Sequence, residues 1–149
     1  MIDPINSLLF PISWLEVSGR LLLAATLGGI IGWDRELKRK PAGLRTNILV
    51  SLGAALIIVG TLQSGISQKD ANIIGRSIQG IITGVGFIGA GVIFQQNQAV
   101  HGLTTASAIW ISCALGIVSG LGLWQLGLMG VGLTIITLRV IKSLEKDQS

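Results

Sequence analysis

With 149 residues, half of them hydrophobic and 12% charged, the chain lies outside the soluble globular class, where about a quarter of residues carry charge. Its length suits one domain. The net charge is +4, but so apolar a chain has no soluble face to hold a basic patch. Nucleic acid is therefore excluded as a partner, and the basic residues read as topology signals.

The chain opens on an apolar stretch interrupted by Pro4 and Pro11, with no Lys or Arg before residue 17. A cleaved signal needs a positive start, so residues 1–13 are expected to lie along the outer membrane interface. Five apolar stretches follow, at about 17–33, 46–62, 73–94, 103–118 and 121–141, close to the roughly 17–25 residues a spanning helix needs. The fourth is short, rich in Thr and Ser, and meets the fifth across only Ser119 and Gly120. On length alone it reads as a span or as a re-entrant segment.

Charge decides the count. Arg35, Lys38, Arg39, Lys40 and Arg45 follow the first span, and Arg139, Lys142 and Lys146 close the chain. Short segments rich in Lys and Arg stay cytoplasmic. Five spans put all of these on one side and leave Lys69 outside, whereas four would put the basic tail outside. Trp14 and Trp33 bracket the first span and Trp124 opens the fifth, as interfacial belts require. The expected fold is an all-α integral membrane protein: a five-transmembrane-helix bundle, N-terminus outside and C-terminus cytoplasmic, forming a single transmembrane domain over 1–149 with no soluble domain.

Glycines are abundant, 21 in all, and small residues let membrane helices approach closely. Gly28 and Gly32 in span one, and Gly80, Gly84 and Gly91 in span three, are expected to form packing faces inside the bundle; Gly116 and Gly120 show the same spacing. Gly84, Gly86 and Gly89 also spell a dinucleotide fingerprint. It lies inside an apolar span, without the strand and the acidic residue that such a site needs, and carries no nucleotide expectation. Cys113 stands alone in an apolar run and is expected to be a buried free thiol.

Charges near the bilayer are costly and therefore informative. Glu16 and Arg20 are spaced to pair on one helix face. Arg76 enters span three just after Asp70. The densest feature is 34–47, where Asp34 and Glu36 stand among cations, Pro41 and Gly43 make a tight return, and Arg45, Thr46 and Asn47 carry polar groups into span two. Arg45 is expected to pair with Asp34 or Glu36. Thr104 and Thr105 open span four after a polar loop, in position to cap its N-terminus. His101 reads as a solvated loop residue.

No nucleophile–base pair sits at plausible depth, so no enzyme activity or cofactor is expected. Asp34 and Glu36 have the chemistry to hold a hydrated Mg²⁺, but five neighbouring cations oppose it, and no metal site is assigned.

The runs GWDREL…KPAGLRTN at 32–47, TGVGFIGAGVIF at 83–94 and GLTTASAIW at 102–110 resemble the signature segments of the MgtC/SapB family. The resemblance covers nearly the whole chain, from Glu16 to span five. It implies a five-span protein of the bacterial inner membrane, linked to growth in low magnesium and to survival inside phagocytes. Its members are described as regulators, including of the ATP synthase membrane sector, and are often labelled magnesium transporters. The family motifs fall on Asp34, Arg35 and Glu36, on Lys40 through Thr46, on Arg76, and on Gly102 through Thr105. Asp34 stands where Glu is more usual. Long members carry an ACT-like C-terminal domain, whereas this chain stops at Ser149.

Two functions are thus expected to compete. One is a regulator that docks to other membrane proteins under magnesium limitation, with the bilayer and those proteins as partners and homo-oligomers compatible. The other is a Mg²⁺ or other cation transporter or channel. Transport usually calls for acids or broken helices at mid-depth, and no Asp or Glu lies in the middle of any span.

Overall fold

The computed structural model describes residues 12–68, 70, 72–96 and 99–141. It is mostly helical: α1 (Trp14–Leu37), α2 (Leu44–Gln63), α3 (Asn72–Gly91), α4 (Leu103–Gly120) and α5 (Trp124–Ile136), whose end runs on as a π-helical segment, Thr137–Ile141. A single 3₁₀ turn, Ile66–Gln68, precedes α3. Among the described residues α1 to α4 are long and apolar enough to cross a membrane. The expected interfacial stretch, as far as residue 11, lies outside the described residues, as do Lys69, Lys142 and Lys146.

The helix ends follow local chemistry. α1 begins before the apolar run because Ser13 and Glu16 form a reciprocal capping box, which satisfies N–H groups that have no partner inside the helix. It ends where Arg39 and Ala42 take positive φ, 51° and 54°, and the chain reverses into α2. The fifth span was expected from residue 121, but the α4–α5 turn occupies Leu121–Leu123. The segment expected as a polar loop instead holds a small antiparallel hairpin, β1 (Phe94–Gln96) and β2 (Ala99–His101), with Phe94 opposite His101. His101 is exposed, its ring stacked on Phe94 at 5.4 Å. Gly102 follows at φ 88°, and a side chain there would run into the Val92 carbonyl, so only glycine fits.

The core is built on α1, α2 and α4, which approach until side chains no longer fit between them. A Cβ on Gly28 would lie 2.5 Å from the Asn47 carbonyl oxygen and 2.7 Å from Ser51 Cβ; one on Gly32 would lie 2.7 Å from Leu44 Cα. Gly116 faces the Ser51 carbonyl and Gly120 faces Ile58. Around these contacts Ile58, Leu62, Ile109 and the free thiol Cys113 pack with Ile81 and Val85 of α3. Leu27, Ile31 and Leu115 pack with Val131 of α5.

For α3 the packing expectation fails. Gly80, Gly84 and Gly91 have nothing within 4 Å of a built Cβ, and only Ile81 and Val85 of this helix are buried. Helical spacing reveals that a bare stripe exists but not which way it faces. Ile82, Phe87 and Ile88 are exposed while Ile81 and Val85 are buried, so along the second half of α3 hydrophobicity does not separate the core side from the lipid side. Gly84→Leu is accordingly expected to keep wild-type yield and melting temperature in detergent. A loss of more than about 1 kcal/mol, beyond the usual range for surface changes, would place that stripe inside the bundle after all.

Candidate functional site at the alpha1–alpha2 turn

Three charged residues end α1 in succession. Each step along a helix turns about 100°, so Asp34, Arg35 and Glu36 point in different directions, and each finds a different element.

Asp34 turns toward the end of α5. It is 3% exposed, and both carboxylate oxygens are engaged: Lys38 Nζ donates to Oδ2 at 2.8 Å and Arg139 Nε donates to Oδ1 at 2.8 Å. Lys38 also reaches the Leu138 carbonyl at 3.4 Å. Arg35, likewise 3% exposed, turns toward α4. Its Nε and Nη2 donate to the Pro41 carbonyl at 3.1 and 2.9 Å, and Nη2 donates to Thr105 Oγ1 at 2.6 Å. Glu36 turns toward α2, whose N-cap, Gly43, offers no side chain. Glu36 Oε2 accepts from the Leu44 N–H at 2.8 Å and takes over the missing cap.

Asn47 completes the site from α2. Fully buried, it donates through Nδ2 to the Ala42 and Gly43 carbonyls at 2.6 and 2.9 Å and accepts from Ser112 Oγ at 2.7 Å. One turn further, Ser51 Oγ donates to the Ala24 carbonyl at 2.7 Å. At the opposite end of α1, Arg20 Nη1 donates to the Gly120 carbonyl at 2.9 Å, with Glu16 at 4.0 Å.

Of the predicted residues, the structure joins Asp34, Arg35, Glu36, Asn47 and Thr105 in one network. It leaves Lys40, Arg45 and Thr104 exposed beside that network, with Thr46 half-buried. Arg76 is exposed on α3, and Asp70 accepts from the Asn72 N–H at 2.9 Å.

Two expectations are corrected. Arg45 does not hold the acids: Asp34 is taken by Lys38 and Arg139, and Glu36 by a backbone N–H. It is the Leu44 N–H and Asn47 that meet α1, while Arg45 projects from α2 into the open. Arg45→Ala should therefore change melting by no more than about 0.5 kcal/mol; a larger drop would show an ion pair absent from this geometry. Nor do Thr104 and Thr105 cap α4, whose N-cap is Gly102 without a side-chain bond; the Thr105 hydroxyl serves Arg35 instead.

Sequence reasoning missed Lys38 and Arg139 as partners, counting them only for topology, although the Asp34–Lys38 spacing of four is a helix-pairing signal. Ser51 and Ser112 carry no sequence signal beyond being polar in apolar runs.

The geometry ties helices together. Asp34 and Glu36 go to different partners, and no three His, Cys, Asp or Glu side chains converge among the described residues.

These features define a class: a helical membrane protein whose core helices are clasped by buried charges at one end. Over residues 21–147 the chain matches the model of the MgtC family, and it belongs to that family. It is 46% identical to Protein SrpB of Synechococcus elongatus, over 89% of this chain and 79% of SrpB. It is 40% identical to the Escherichia coli K12 protein named "Putative magnesium transporter YhiD", over 84% of this chain and 60% of YhiD. With Protein MgtC of Brucella abortus it shares 45% identity over 67% of this chain and 40% of MgtC. The matches thus span less than two thirds of YhiD and of MgtC. No solved structure matches the chain.

Proposed function

We propose that this chain is a non-enzymatic, multi-pass protein of the bacterial inner membrane that serves adaptation to magnesium limitation by docking to other membrane complexes, the ATP synthase among the candidates. The observation that carries this reading is the open glycine face of α3. Gly80, Gly84 and Gly91 leave bare backbone with nothing against it, and in a bilayer such a face is where another helix packs closely. The name of YhiD supports the magnesium context.

A second reading, Mg²⁺ or other cation transport, draws on the name of YhiD. Against it, the acids of the described helices, Glu16, Asp34 and Glu36, all lie near the ends of α1, and Asp34 is already held by two cations. Purified protein in liposomes loaded with a Mg²⁺-sensitive dye is expected to give no flux above empty liposomes. In cells, Gly84→Leu should fold normally yet fail to restore growth of a deletion strain in low Mg²⁺. Robust flux in liposomes, or full complementation by Gly84→Leu, would sink the docking reading.

The topology belongs to the same proposal: one transmembrane domain of five spans, N-terminus outside, C-terminus cytoplasmic. The α1–α2 turn, the start of α4 and the end of α5 meet at one end of the molecule, which is what alternate crossings require. A reporter active only in the cytoplasm should work when fused after Gln148 and stay silent near Gln68. The reverse pattern at either position excludes five spans.

A further inference from the structure

Beside the Asp34–Arg35 network lies a cavity of about 950 Å³, walled on its polar side by Arg35, Lys40, His101, Thr104 and Thr105. It shares Thr137 and Leu138 with a second hollow, an open groove of about 860 Å³ between α3, α4 and α5 that includes Gly89, Ala106, Trp110 and Leu133. The two adjoin. One end is cationic, and the other runs along the helices into the apolar layer.

The groove is apolar even where hydroxyls line it. Ser107, Thr134 and Thr137 each donate to a carbonyl one turn back in their own helix, those of Leu103, Gly130 and Leu133. From Thr137 to Gly130 the groove follows about two helical turns, on the order of 10 Å, enough for much of one acyl chain's passage through a leaflet.

The polar end lacks an anion. Arg35 is buried, yet its bonded partners among the described residues are a carbonyl and a hydroxyl, both neutral. The ion pairs of the described residues involve Arg20, Lys38 and Arg139 instead. The neighbouring Asp34 attracts Arg35 only through space, with both its oxygens taken by Lys38 and Arg139. A buried cation with no bonded anion is costly, and the cavity wall contains no carboxylate. Lys40 stands on the same wall. α4 also starts there without a side-chain cap, so its first N–H groups add donors suited to phosphate.

We propose that this double hollow binds one anionic phospholipid, with its phosphate beside Arg35, Lys40 and the start of α4 and an acyl chain in the groove between α3, α4 and α5. A free phosphate would occupy only the cationic end; the adjoining groove selects a molecule that is charged at one end and greasy at the other. The site needs a bilayer around the helices but no protein partner, so it stands or falls apart from the docking reading.

The test titrates detergent-solubilised protein with phosphatidylglycerol or phosphatidylcholine, reading bound lipid by native mass spectrometry and stabilisation by melting temperature. Phosphatidylglycerol is expected to bind about tenfold tighter than phosphatidylcholine. Lys40→Gln should weaken phosphatidylglycerol about fivefold, as loss of one interfacial cation does, and leave phosphatidylcholine unchanged. Ser107→Phe, filling the groove from an exposed position, should weaken both lipids. If that variant folds poorly, Ala90→Phe on the facing wall replaces it. Inorganic phosphate at millimolar concentration should not displace the lipid. Equal binding of the two lipids, with Lys40→Gln silent, would reduce the hollow to ordinary annular lipid and overturn the site. Displacement by inorganic phosphate, with both groove variants silent, would leave a plain anion pocket and overturn the lipid.

Discussion

Gly116→Leu is expected to abolish recovery of folded protein, although the same substitution at Gly84 should be tolerated. Both glycines lie in apolar helices with glycine four residues away, and sequence context alone ranks them equally. The structure does not. A side chain at 116 would be driven into the Ser51 carbonyl, with its Cβ 2.8 Å from the carbonyl carbon and 2.9 Å from Ala54 Cβ. Backbone of a packed helix cannot swing away as a flexible side chain can, so α2 and α4 must separate. Overpacking alone costs about 1–3 kcal/mol. Separation also strains the Asn47–Ser112 bond, now 2.7 Å long, and the Ser51–Ala24 bond behind it. The total approaches the whole stability of a small domain. Size-exclusion yield and thermal melting of Gly116→Leu, Gly116→Ala and Gly84→Leu side by side would check this. Wild-type melting in Gly116→Leu would mean that α2 and α4 do not meet as described.

Asn47→Leu, which keeps the branching of the side chain but none of its hydrogen bonds, should cost on the order of 2–4 kcal/mol. Interhelical hydrogen bonds in membranes average only about 0.6 kcal/mol and reach about 1.7, so loss of the Ser112 contact alone accounts for the smaller part. The rest comes from the turn. Nδ2 of Asn47 holds the Ala42 and Gly43 carbonyls, and Ala42 sits at φ 54°, a conformation that persists only when its surroundings enforce it. Losing the amide leaves the Ala42 carbonyl without its bond and the Gly43 carbonyl with only the residue-47 N–H at 3.2 Å, and it releases a strained return. Ser112→Ala should cost about 1 kcal/mol, and the double mutant should show coupling within the membrane range. If Asn47→Leu melts no lower than Ser112→Ala, the turn owes nothing to Asn47.

Much of the fold was readable because lipid imposes so strong a constraint. Apolar runs near one bilayer thickness located α1 to α5, of which α1 to α4 are long enough to cross a membrane, and Gly28 and Gly32 proved to be contact points. The orientation of faces was not readable. Along the second half of α3 apolar side chains face both ways, Ile81 and Val85 inward and Ile82, Phe87 and Ile88 outward, so Gly80, Gly84 and Gly91 were not assigned the right side. In the 34–47 segment the sequence showed that acids and bases meet but not which ones. Arg139 lies 105 residues from Asp34, and no local spacing connects them, whereas Arg45 looked closer and projects elsewhere. Thr105 offered the same trap: a hydroxyl in the first turn of a helix suggests a cap, and only its distance to Arg35 reveals another task.

The long separations within that network also bear on how the protein is made. Arg35 waits 70 residues for Thr105, and Arg20 waits 100 for the Gly120 carbonyl. At roughly 5–20 residues per second of synthesis, α1 leaves the ribosome several seconds before Thr105 and the Gly120 carbonyl exist to receive its guanidinium groups. Until then Arg35 has only the nearby Pro41 carbonyl. On the proposed topology these groups would be solvated during that interval by water and headgroups at the two membrane faces, and α1 would not yet take its final lateral position. The last described turn, bearing Arg139, closes the clasp on Asp34 after all other helices are present. A nascent chain arrested before α4 should therefore expose Asp34 and Arg35 to modification from the aqueous side, and the completed chain should not.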